Sequence, residues 1–173
     1  MSSKSAVVVA AVVAIAVTVP ALTSAQAPTD TKFTRTTLTF TEKDSKDFGL
    51  VDNPPRTTIG RLGPRRLSIG DQLVFRTFLL NAANARVGQL DVSCTVTGAG
   101  KARFSQANAT CHATAGVPGG QLFVAVGGKP FAKAATSGAV TGGTGVYAGA
   151  TGTFASDGAA RAKTTFNLVV PVK

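Results

Sequence analysis

The chain has 173 residues, with 18 Lys and Arg against 8 Asp and Glu, a single histidine, two cysteines and no tryptophan. One histidine and two cysteines are too few for a structural zinc site, and their spacing matches no finger. The basic loop Arg56–Arg66 has no aromatics interleaved with its charges, which argues against a specific nucleic-acid module.

Residues 1–27 read as an export signal. Lys4 is followed by Ala6–Val19, 14 residues with only small or apolar side chains, then Pro20 and Ala25-Gln-Ala27. The run is short for a membrane span, which needs about 18–20 apolar residues. Cleavage falls after Ala25 or after Ala27. The mature chain, residues 28–173, is then a single domain, secreted or held in the periplasm or at the cell surface. An uncleaved anchor is the alternative.

Composition and pattern in that domain point to β structure. The 19 glycines all follow the signal, no sustained 3.6-residue apolar period is present, and period-2 runs alternate with glycine, proline and asparagine. Phe33–Thr41 reads as the first strand, with Leu38 and Phe40 on one face. Asp44–Ile69 is irregular, a long loop or a strand interrupted by loops. Asp71–Asn81 gives the strongest strand signal and is apolar on both faces, so its outer face needs a cover such as a second subunit. Ala82–Ala85 reads as a hairpin turn with Asn84 at φ > 0. Further strands are expected at Arg86–Thr97, Arg103–Thr114, Gln121–Val126, Ala134–Val140, Thr151–Ser156 and Arg161–Val172. That makes eight, the number that closes a small antiparallel barrel around side chains or one small ligand.

Cys94 and Cys111 fall on consecutive strands, and an exported chain meets an oxidising compartment, so a disulfide between them is expected. The next residue, His112, then points to the opposite face from Cys111. His112 is the only imidazole available to any triad. Asp52, before Asn53-Pro-Pro55, is the preferred acid because its loop would border a barrel mouth. Asp71, at a strand start, reads as a turn cap. Arg56, Arg61, Arg65 and Arg66 crowd one loop and could hold an anionic surface polymer, although a merely solvated basic loop is commoner. No metal or cofactor is expected.

Ala139-Val-Thr-Gly-Gly-Thr-Gly-Val-Tyr-Ala-Gly-Ala-Thr-Gly152 is the densest glycine stretch and holds the only tyrosine, Tyr147. A dinucleotide-binding turn would have to open a βαβ unit, and too little chain follows Gly145 for one. The stretch instead resembles the signature of the dirigent and allene oxide cyclase barrel superfamily, notably its secreted microbial members. Gly70-Asp-Gln-Leu-Val-Phe75, Arg86-Val-Gly-Gln-Leu90, Cys94-Thr-Val-Thr97, Cys111-His-Ala-Thr114 and Gly120-Gln-Leu-Phe-Val124 extend the resemblance in the same order. Together they cover about Phe33–Val172. The resemblance implies a single eight-stranded antiparallel β-barrel, often trimeric, that steers the cyclisation or coupling of a small apolar molecule without a cofactor. It carries over no catalytic residue. Asp52, His112 and Tyr147 are the candidates, and Tyr147 is the more readily explained as a pin for the glycine loop. The rival reading is a non-catalytic ligand carrier or a basic adhesion module, and the residues do not decide whether the protein is an enzyme.

Overall fold

The computed structural model describes residues 31–51, 53, 67–98, 104–132, 134–158 and 161–172. The export signal, Asp52 and the arginines Arg56, Arg61, Arg65 and Arg66 lie outside the described residues. Eight strands, β1 (Phe33–Val51), β2 (Gln72–Leu80), β3 (Arg86–Gly98), β4 (Asn108–Val117), β5 (Gly120–Val126), β6 (Thr136–Gly143), β7 (Thr151–Ser156) and β8 (Lys163–Pro171), follow one another around a closed antiparallel barrel.

The closing strand is β1. Its first half pairs with β8 from Phe33↔Pro171 to Thr41↔Lys163, and its second half pairs with β2 from Thr41↔Leu80 to Val51↔Gln72. Thr41 therefore belongs to both ladders, and a strand this long gives the stagger a closed barrel needs. The sequence pattern led us to expect β1 to stop at Thr41. It continues because the polar run Asp44–Asp47, which spoils the alternation, is taken up in a bulge. The register shifts between Asp44 and Phe48, leaving three residues opposite Arg76, and Ser45 Oγ donates 2.9 Å to the Arg76 carbonyl. Another expected strand is shorter than anticipated. Phe104–Gln106 is a 3-10 turn, and β4 begins only at Asn108.

Alternation sorts the barrel into an inside and an outside. Inward-facing Leu73 and Leu79 of β2, Leu90, Cys94 and Val96 of β3, and Phe166 and Leu168 of β8 are all under 5% exposed and form part of one packed cluster. The cysteines sit inside as directly opposed partners and are bonded, Cys94 to Cys111, with Cα atoms 4.0 Å apart.

Turn chemistry closes both ends. Asn84 takes φ 59° in the β2–β3 turn, where Asn81 Oδ1 accepts from the Ala83 and Ala85 amides. At the start of β2, the Asp71 carboxylate accepts from Ser68 N, Ser68 Oγ and Asn53 N, so this buried acid fixes a turn. The glycine stretch ends β6 and folds into a 3-10 turn, Gly145–Tyr147, against β5. Gly145 (φ +63°) is required there, since a Cβ would lie 2.2 Å from the Gly119 carbonyl oxygen.

Candidate functional site

Three strands place their inward side chains in two adjoining layers. In β1, β8 and β7 an aromatic ring and a polar group stand two residues apart on the same face: Phe40 and Glu42, Phe166 and Thr164, Phe154 and Ser156. Like meets like between β7 and β8, through Phe154↔Phe166 and Ser156↔Thr164, whereas Phe40 of β1 lies opposite Thr164. The aromatic layer packs edge-on, with Phe166 centred 6.2 Å from Phe40 at 70° and 5.4 Å from Phe154 at 57°. Beside it, Glu42 Oε1 accepts from Ser156 Oγ at 3.2 Å and from Thr164 Oγ1.

Glu42 is thus a carboxyl inside an apolar barrel, with no cation among the partners that set its charge. Burial pushes its pKa above the usual glutamate value, and the Asp44 carboxylate adds to the rise, while the hydroxyls of Thr164, Ser156 and Thr77 pull part of the way back. An acid whose folded pKa is raised binds its proton more readily folded than unfolded. Its favourable contribution is therefore present below pH 4.5 and is lost as pH rises through the folded value. Glu42→Gln should accordingly leave stability unchanged near pH 4 and raise the melting temperature at pH 8, measured by thermal unfolding at both pH values. A variant less stable at pH 8 would contradict this assignment.

The sequence candidates are scattered. His112 is exposed on the outer face of β4, while its neighbour Cys111 is buried inside. Tyr147 is buried at the end of the barrel where the glycine turn meets the β4–β5 turn, and its hydroxyl donates 2.8 Å to the Pro118 carbonyl. Desolvation raises the Tyr147 pKa, consistent with a tyrosine that stays neutral. The structure does not bring His112 and Tyr147 together: one lies outside the barrel and the other plugs its end. Glu42 was not among the sequence candidates. The signal was present, since Glu42 continues the Leu38, Phe40 alternation and so puts an acid on the apolar face.

A second feature lies on the outside. A groove of about 830 Å³ crosses the outer faces of β1 to β6, lined by Phe48, Val74, Arg76, Asp91, His112 and Phe123 among others. Its lining includes the outward rows on either side of Phe75, Val92, Ala113 and Val124 and no residue of β7 or β8, which places it outside the barrel. Phe48, Val74 and Phe123 are 51%, 44% and 37% exposed. At one edge Arg76 Nε pairs with Asp91 at 2.5 Å and Nη1 with Asp47 at 3.6 Å, and Gln89 Nε2 donates to the other Asp91 oxygen.

No family model matches the chain, and no curated protein matches it. Solved structures do. A pyocyanin demethylase superposes with a TM-score of 0.60 at 24% identity over 77% of this chain and 99% of its own. The pterocarpan synthase dirigent protein GePTS1 gives 0.58 at 15% identity, over 85% and 97%. A nonspecific heme-binding cyclase that catalyses a cycloaddition during neoabyssomicin biosynthesis gives 0.50 at 16%, over 84% and 69%. The chain has the fold of the dirigent and allene oxide cyclase-like barrels.

Proposed function

We propose that this protein is an exported barrel that takes a small apolar molecule into its interior and steers its cyclisation or coupling. The observation that carries the reading is the inner wall itself. A layer of three phenylalanines adjoins a single carboxyl held by hydroxyls, on a fold whose solved examples include a dirigent protein and a cyclase. Such a wall selects by shape and leaves one polar group to orient the guest. Holding one near-attack geometry out of many is a catalytic contribution that needs few acid–base groups. The test is product stereochemistry in ring-closing and phenolic-coupling reactions, run with and without the mature protein. A biased product ratio supports the reading, and an unchanged ratio across both reaction classes removes it.

The outer groove supports a second reading, a carrier that holds its ligand on the β1–β6 face or covers that face with another copy of the chain. An apolar fluorescent dye separates the two. Binding that Phe123→Ser and Val74→Ser weaken belongs to the groove, whereas binding that they leave intact belongs to the interior.

A further inference from the structure

The groove across the outer faces of β1 to β6 has apolar walls and a polar floor. Val74 of β2 lies opposite Gly49 of β1, and Phe123 of β5 lies opposite Gly142 of β6. A Cβ on Gly49 would stand 2.9 Å from Val74 Cγ2, and one on Gly142 would stand 3.4 Å from Phe123 Cδ2. Each wall side chain therefore leans over a glycine of the neighbouring strand, away from the middle. The middle belongs to β3 and β4, where Ser93 and His112 are directly opposed and Thr114 follows on the same face. None of these three side chains makes a hydrogen bond among the described residues. The charged edge, in contrast, is closed on itself. Arg76 is paired with both Asp47 and Asp91, and the second Asp91 oxygen accepts from Gln89.

We propose that this groove is a binding site for a flat, uncharged fused-ring aromatic molecule with a hydrogen-bonding atom at its middle, received by His112. The inference rests on the groove reading given above and is independent of the interior one. A volume of about 830 Å³ falls within the range of small-molecule sites, about 300–1,000 Å³. β2 and β5 are three strand spacings apart, about 14 Å, which a fused tricycle bridges from Val74 to Phe123. Flatness follows from the floor, a sheet face that carries Ser93, His112 and Thr114 between the walls. Aromatic character follows from the Phe123 ring, which is 37% exposed and open to stacking. Arg76, the one Lys or Arg of the described lining, is already held by two carboxylates, so a ligand anion finds no free partner. A plain hydrocarbon would strip water from three polar side chains without replacing it, which leaves such guests to the interior. A ring nitrogen or oxygen over His112 restores the lost bond, since an imidazole offers a donor and, when neutral, an acceptor.

The test uses carbazole, dibenzofuran and fluorene, tricycles of one shape that carry an N–H, an oxygen and a methylene at the same position. Groove occupancy is read from the Val74 methyl signals of the mature protein, which a guest in the interior leaves in place. Carbazole or dibenzofuran should bind at least about fivefold more tightly than fluorene, the value of one net hydrogen bond. His112→Phe should remove that preference while fluorene binds as before, and Phe123→Ala should weaken all three. Fluorene-2-carboxylate should bind no more tightly than fluorene, although the whole chain carries a formal net charge of +10 at pH 7. If fluorene matches both other tricycles, or if the preference survives His112→Phe, the hydrogen-bonding class is overturned and the groove reading stands. If the carboxylate binds tightest, the groove takes anions and the uncharged class is overturned. If no probe moves the Val74 signals, the groove reading falls and the ligand class falls with it.

Discussion

Replacing Phe166 with alanine should remove about 3–5 kcal/mol of folding stability, the cost expected for a fully buried aromatic in a core that collapses only partly. Phe166 has no exposed surface and is the ring that links Phe40 of β1 to Phe154 of β7. Its loss opens a void against both rings at the seam where β8 meets β1 and closes the barrel. A smaller core substitution elsewhere loses packing on one side, but this one loosens the seam itself. Urea unfolding of the variant measures the effect. A loss below about 1 kcal/mol would mean that the aromatic layer does not hold the barrel shut.

The second large effect belongs to the disulfide. Cys94 and Cys111 are separated by 17 residues and oppose each other directly inside the β3–β4 ladder. Closing a loop of this length restricts the unfolded chain, and removing the bond with a double alanine substitution should cost about 3 kcal/mol. The two sulfur-bearing residues are 1% and 3% exposed, so reductant reaches the bond only as the hairpin opens. The native protein should accordingly resist mild reduction and lose the bond quickly once denatured. Equilibrium unfolding of the double variant, with thiol titration of the wild type in native buffer, checks both statements. Free thiols titrating at once in native buffer would show that the bond is not part of the folded barrel.

Much of the fold was legible because its signals are local and of period 2. The Gln72–Leu80 strand, the Asn84 turn and the pairing of the two cysteines follow from alternation, positive φ and compartment. The second half of β1 was not legible, since a bulge of three residues breaks the alternation that reveals a strand, and only the partner strand shows where the register resumes. The site was harder for a different reason. Asp52, His112 and Tyr147 stood out by rarity or by neighbourhood, but chemistry inside a barrel depends on which face a residue occupies. Glu42 follows Phe40 by two and so shares its face. Its hydroxyl partners Ser156 and Thr164 come from more than 110 positions further along the chain. Closure of the barrel brings them together, and no local pattern announces it.

The outer groove bears on the same lesson. Apolar residues on both faces of β2 led us to expect a covered outer face; in the structure Val74 lines an open groove with Phe48 and Phe123 and is 44% exposed. The groove also holds His112, so the only imidazole of the chain faces away from the carboxyl at the centre of the interior reading.

The measurement that tests the central claim most directly is the location of a bound apolar ligand by methyl nuclear Overhauser contacts in solution. The account predicts contacts from the ligand to the inward methyl groups of Leu38, Thr77 and Leu168, with none to Val74. Contacts confined to Val74 and its neighbours in the outer groove would contradict it.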